Sequence, residues 1–260
     1  MLRAAMGALL YFPARKLLAT PADAHLEYDE LEFETDDGER LHGWWLPAPR
    51  QPSAGHILLF HGNAGNIGDR VPHSAVLVRA GFDVLLFDYR GYGRSTGRAD
   101  EQGTYLDARA ARRAIIARRG CDPARVSYLG ESLGAAVASE LALSSPPRAL
   151  ILQSAFTSLR DVARRHYPFL PRPLVPDAYP TIRRIGVVGA PVLLIHGDRD
   201  TIVPLSHAQT LCEAARQPKR LEVFAGLGHN DLLSARERYV QVVKRWIGDQ
   251  DGRATPGAGG

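Results

Sequence analysis

The hydrophobic positions of this 260-residue chain change rhythm once. Between residues 26 and 47 they alternate. Glu30-Leu31-Glu32-Phe33-Glu34-Thr35 is polar and apolar by turns, Asp36-Asp37-Gly38 breaks it, and Arg40-Leu41-His42-Gly43-Trp44-Trp45-Leu46 returns. Alternation on either side of an Asp-Gly turn predicts an antiparallel pair of strands. After a loop over 47–52, short and mostly continuous apolar runs take over, at 56–60, 84–87, 126–129, 149–152, 192–195 and 221–224. Between them, 70–80, 104–119, 133–143, 206–216 and 233–247 carry helical spacing. Continuous apolar runs are what parallel strands need when helices cover both faces. The expected fold class is therefore α/β, a mostly parallel open sheet with N-terminal antiparallel strands.

One connection breaks this rhythm. Residues 157–190 separate two sheet strands and carry Pro168, Pro171, Pro173, Pro176 and Pro180. They also carry Arg160, Arg164, Arg165, Arg172, Arg183 and Arg184. The connection is too long for a simple crossover, so it reads as a short cap over the top of the sheet. The domain then spans 26–248, with an arm over 1–25. A polar, glycine-rich tail over 249–260 is expected to be disordered.

Composition narrows the function classes. A 45% hydrophobic and 23% charged chain is ordinary for a soluble globular protein. The net charge of +4 comes mostly from arginines spread along the chain, which reads as solvated faces and not as a nucleic-acid surface. Cys121 and Cys212 form no C-x-x-C pair, so two reduced structural cysteines in a cytoplasmic protein are expected, with neither disulfide nor zinc. The apolar stretch 4–12 is shorter than the roughly 18 residues that a spanning helix requires. Residues 2–18 are either an arm packed on the domain or a peripheral membrane contact, although Pro13 interrupts any helix there.

The chemistry concentrates in Gly130-Glu131-Ser132-Leu133-Gly134, directly after the run Val126-Ser127-Tyr128-Leu129 and before a small-residue helical stretch. G-x-S-x-G between strand and helix is a nucleophile elbow, with the serine hydroxyl pushed out at the top of a sheet. A serine nucleophile needs a base, an orienting acid and oxyanion donors. In open α/β sheets these lie past the carboxyl ends of strands. Past 221–224 lies Ala225-Gly226-Leu227-Gly228-His229, which makes His229 the candidate base. Past 192–195 lies His196-Gly197-Asp198-Arg199-Asp200. Asp200 is the candidate acid because it lies further beyond the strand end; Asp198 is assigned to the turn. Asp231 is read as an N-cap before Leu232.

The expected oxyanion donors are backbone amides. One is Leu133, after the nucleophile, and the other is Asn63, with Ala64 second, in His61-Gly62-Asn63-Ala64-Gly65-Asn66. His61 is read as shaping that loop. Ser95, in Asp88-Tyr89-Arg90-Gly91-Tyr92-Gly93-Arg94-Ser95, lacks the elbow context and receives no nucleophilic role. The chain shows no metal-ligand spacing and no dinucleotide fingerprint, so neither metal nor cofactor is expected.

These segments together resemble the α/β-hydrolase superfamily over about residues 28–248, and its Bem46-like branch of abhydrolase domain-containing proteins more closely. The resemblance rests on Phe60-His61-Gly62-Asn63-Ala64-Gly65-Asn66, 88–95, 130–134, 196–204 and Gly228-His229. It implies an α/β-hydrolase fold and a Ser132, Asp200, His229 triad, agreeing with the residue reading. The expected activity is a serine esterase acting on a small-molecule or lipid-like acyl ester. An acyl-protein or acyl-CoA thioesterase, a serine peptidase and a non-catalytic binding protein are the alternatives. Some animal relatives remove palmitoyl groups from proteins, and anchor through an N-terminal cysteine cluster that this chain lacks. Many bacterial relatives carry a spanning helix before a segment similar to Tyr11-Phe12-Pro13, where this chain has a stub. The resemblance thus implies either lost anchoring or a start internal to a longer chain.

Overall fold

The computed structural model describes residues 11–166 and 177–250. The antiparallel pair is β1 (Asp29–Glu34) and β2 (Arg40–Leu46). The apolar runs become β3 (His56–Phe60), β4 (Asp83–Phe87), β5 (Val126–Glu131), β6 (Leu150–Gln153), β7 (Val192–Gly197) and β8 (Lys219–Phe224). They form one eight-stranded sheet in the order β8-β7-β6-β5-β3-β4-β2-β1. Pairing is parallel from β8 to β4 and antiparallel on both sides of β2.

Alternation along each strand divides the core in two. Leu58, Phe60, Leu85, Phe87, Leu150 and Leu152 face one side. There they meet α2 (Glu101–Ile116), α3 (Leu133–Ser144), α5 (Thr181–Ile185) and α6 (Leu205–Ala214). Ile57, Leu59, Val84, Leu86, Ile151 and Leu193 face the other side, under α1 (Val71–Arg79) and α7 (Arg236–Gly248). Both faces are therefore apolar, which is why the sequence runs are continuous. The edge strand β1, Asp-Glu-Leu-Glu-Phe-Glu, stays charged on its open face, which discourages pairing with another chain.

The cap connection supplies α4 (Leu159–His166) and, after Pro180, α5. Pro168, Pro171, Arg172, Pro173 and Pro176 fall outside the described residues, as do the start of the arm (1–10) and the tail from 251. The described arm packs on the domain: Leu17, Ala19 and Ala24 lie partly buried against the second core, while Phe12 and Leu18 remain exposed. Gln250, which the sequence pattern assigns to the tail, is buried and donates to the Trp246 carbonyl. No helix among the described residues is long and apolar enough to cross a membrane.

Candidate active site

Ser132 sits where β5 ends and α3 begins, with φ 53° and ψ −109°. That region is costly for a residue with a Cβ and persists only when neighbours impose it. The Ser132 amide donates to the Gln153 carbonyl at the end of β6, 2.9 Å away. Both motif glycines are required by close approach. A Cβ on Gly130 would lie 2.4 Å from the Gly134 carbonyl oxygen, and one on Gly134 would lie 2.2 Å from that of Phe60. Leu133 opens α3, so its amide lies at the positive end of the helix beside Ser132.

His229 follows β8 and reaches back to Asp200, which follows β7. His229 Nδ1 lies 2.7 Å from Asp200 Oδ2, and the carboxylate is fully enclosed. Asp200 Oδ1 accepts from the amides of Ile202 and Val203, and His196 Nε2 lies 3.3 Å from Oδ2. Burial alone would raise the Asp200 pKa. The adjacent His196 imidazole, the His229 hydrogen bond and charge and the Val203 amide outweigh it, holding the carboxyl well below the usual range. An ionised, enclosed carboxylate only accepts, so it holds a proton on His229 Nδ1 and leaves Nε2 to accept one. The Ser154 hydroxyl donates to the His229 carbonyl at 3.4 Å. Consecutive residues Gln153 and Ser154 thus hold Ser132 on one side and His229 on the other.

The loop after β3 is clamped from several directions. Ala64–Gly65 pairs in parallel with Phe12–Pro13 of the arm. The Ala14 amide donates to Gly65, and the Asn66 side chain donates to the carbonyls of Ala14 and Lys16. Tyr11 extends the clamp: its hydroxyl lies 2.7 Å from that of Tyr179 in the cap connection, which in turn lies 3.0 Å from Thr104 Oγ1 in α2.

Behind the elbow lies a buried polar chain. Glu131 Oε2 is 3.2 Å from Arg70 Nε, an ion pair without hydrogen-bond alignment, and 3.8 Å from His73 Nδ1. His73 Nε2 meets the Tyr239 hydroxyl at 2.9 Å, and Tyr239 donates to Gln153 Oε1 at 2.8 Å. Burial pushes the Glu131 carboxyl up. The facing His73 imidazole and the charges of Arg70 and His229 reverse this and hold it at about 2.

The sequence placed Ser132, Leu133, Asn63, Ala64, Asp200 and His229 after strands, and the fold gathers all of these loops at one end of the sheet. Two local readings are sharpened. Asp231 takes the N-cap position ahead of the short helix at Leu232–Ala235, but its side chain makes no cap bond; Oδ1 accepts from the Gly228 amide at 2.6 Å. Asp198 does not bond within its own turn but accepts from the Gly226 amide, so it joins the Asp200 and His229 loops. Ser95 is buried and bonded to the Asp88 carbonyl and the His42 amide, a structural role. The contributions of Gln153, Ser154, His196 and the Glu131–His73–Tyr239 chain were not read from the sequence. Only Glu131, the variable position of the elbow motif, offered a signal. A cavity of about 440 Å³ in the cap, lined by Arg160, Arg164, Arg183, Asp161 and Asp177 among others, includes none of Ser132, Asp200 and His229.

Residues 51–183 match a family model described as serine aminopeptidase, S33. An uncharacterized protein of Mycobacterium tuberculosis is 47% identical over 242 residues, 92% of this chain and 86% of the relative. The protein bem46 of Schizosaccharomyces pombe is 31% identical over 251 residues, 92% of this chain and 82% of the relative. Among solved structures, an esterase of Pyrococcus furiosus superposes with a TM-score of 0.77 at 23% identity, covering 92% of this chain and 98% of that one.

Proposed function

The chain belongs to the Bem46-like branch of the α/β-hydrolase superfamily, and from that premise we propose that it is a serine hydrolase cleaving carboxylic esters through an acyl-enzyme. The observation that carries the reading is the pairing of His229 Nδ1 with the enclosed Asp200 carboxylate. This pair is tied through Ser154 to the end of β6, whose last residue, Gln153, holds Ser132 in its strained elbow.

In this reading Ser132 Oγ attacks the acyl carbonyl carbon while His229 Nε2 takes the hydroxyl proton. The carbonyl oxygen becomes an oxyanion held by the Leu133 amide and by the Asn63 amide, with Ala64 as the further donor. The imidazolium, balanced by Asp200, returns its proton to the leaving alkoxide. Water then repeats the sequence on the acyl-enzyme, releasing the acid and restoring Ser132. Each oxyanion donor is worth about 3 kcal/mol of barrier in such sites. The same machinery would act on an acyl thioester. Because the matching family model is described as an aminopeptidase, amide cleavage is the second reading.

Labelling by a fluorophosphonate, together with hydrolysis of p-nitrophenyl esters of rising chain length, matched thioesters and aminoacyl p-nitroanilides, tests this. Wild type should be labelled, esters should turn over fastest, and Ser132→Ala should abolish labelling. Equal labelling of the alanine variant would sink the nucleophile, and faster p-nitroanilide cleavage would replace the esterase by a peptidase.

A further inference from the structure

Two buried side chains outside the Ser132–His229–Asp200 set grip the loop assigned above to the oxyanion. His61, at the end of β3, is fully enclosed between the rings of Tyr89 and Tyr92, whose centroids lie 4.5 and 5.1 Å from its own. His61 Nδ1 is 2.7 Å from the Gly62 carbonyl oxygen. A carbonyl only accepts, so Nδ1 carries the proton. The Tyr92 hydroxyl donates to the Asn63 carbonyl at 2.7 Å, and that carbonyl also accepts from the Phe12 amide at 3.4 Å.

Peptide planarity converts these contacts into direction. In a trans peptide the carbonyl and the following N–H point opposite ways in one rigid plane. Holding the Gly62 carbonyl therefore aims the Asn63 amide, and holding the Asn63 carbonyl aims the Ala64 amide. We propose that His61 and Tyr92 are positioning residues of the oxyanion hole, each setting one of these amides through the carbonyl before it. The inference rests on the oxyanion assignment of this loop.

Asp88 completes the arrangement. Its Oδ1 accepts from the Ile67 amide and faces His61 Nε2 at 3.5 Å, with both side chains wholly buried. Burial, aided by the charge of Arg70, pushes the His61 imidazole down, and burial pushes the Asp88 carboxyl up. The pair is therefore held without charge. A neutral His61 has one proton, and its place on Nδ1 is what the Gly62 contact requires.

His61→Leu, His61→Asn and Tyr92→Phe separate aiming from mere stability. The readouts are kcat, KM, the melting temperature and inhibition by a trifluoromethyl ketone, whose carbonyl carbon adds Ser132 Oγ and whose oxygen becomes the oxyanion. His61→Leu and Tyr92→Phe should each lose about 10- to 100-fold in kcat and a similar factor in ketone affinity, with KM little changed. His61→Asn, whose amide can still donate to Gly62, should recover most of the loss. Folded Leu and Phe variants with wild-type kcat and ketone affinity would overturn the proposal, as would losses confined to KM and melting temperature. If His61→Leu does not fold, Tyr92→Phe, which removes one oxygen atom, decides by the same readouts. A wild type that fluorophosphonate does not label would overturn the hydrolase reading and the positioning together. A labelled wild type with unaltered variants would overturn the positioning alone.

Discussion

Gly134 lies against the carbonyl of Phe60 so closely that a Cβ would come within 2.2 Å of the oxygen and 2.6 Å of the carbon. The first turn of α3 and the end of β3 are thus in backbone contact, which brings the Leu133 amide next to the 61–66 loop. The obstacle is main chain, which cannot rotate away. Gly134→Ala should cost about 3 kcal/mol or more in unfolding free energy and at least about 100-fold in esterase kcat. Urea unfolding and steady-state kinetics measure both. An alanine variant with wild-type stability and rate would show that the contact is not needed.

Asp200 and Asp198 are two residues apart and should behave very differently. Asp200→Asn keeps the size but no longer holds the proton on His229 Nδ1, and kcat should fall by about 10⁴. Asp198→Asn retains an oxygen for the Gly226 amide and should change kcat by no more than about threefold. Steady-state kinetics on the two purified variants decide. A larger loss from Asp198→Asn would transfer the role of the acid.

Glu131 has a folded pKa of about 2, below its unfolded value of 4.5. A depressed carboxylate contributes stability above the unfolded pKa and loses it as pH falls through the folded one. Glu131→Gln should therefore be less stable by about 3 kcal/mol at pH 7, with the gap closing between about pH 4.5 and pH 2. Denaturant titrations across that range test it; a gap independent of pH would remove the ionised Glu131 from the account.

Asp88 runs the other way. Its folded pKa, raised by burial to about 8, lies above the ordinary 3.8, although the Ile67 amide and the charges of Arg70 and Arg15 oppose the rise that Asp69 assists. Its proton supports the fold fully below about pH 4, and that support is lost as pH climbs through 8. Asp88→Asn keeps an acceptor for Ile67 and does not titrate. Its stability relative to wild type should rise steadily from pH 4 to about 8 and then level off. A flat difference in melting temperature over that range would mean that Asp88 is already ionised.

Much of the sheet was legible because burial on both faces leaves continuous apolar runs, which single residues such as Leu58 and Leu59 report without their partners. The elbow was legible because close packing demands glycine at 130 and 134. The loops bearing Asp200 and His229 were legible because each follows such a run. Contacts between distant, polar positions leave no such trace. Nothing periodic links Phe12 to Ala64, and Asp88 and His61 look like any loop residues after a strand until burial removes their water. Asp198 and Asp231 show the same limit: locally they read as a turn former and a cap, while each side chain bonds across or back along a loop.

The most direct test is to trap the acyl group. Wild type mixed with a p-nitrophenyl ester and quenched in acid within the first turnover should release one equivalent of p-nitrophenol per site. Mass spectrometry should place the acyl mass on Ser132 alone, and Ser132→Ala should give neither burst nor adduct. An acyl group on another residue, or turnover that survives in Ser132→Ala, would contradict the account.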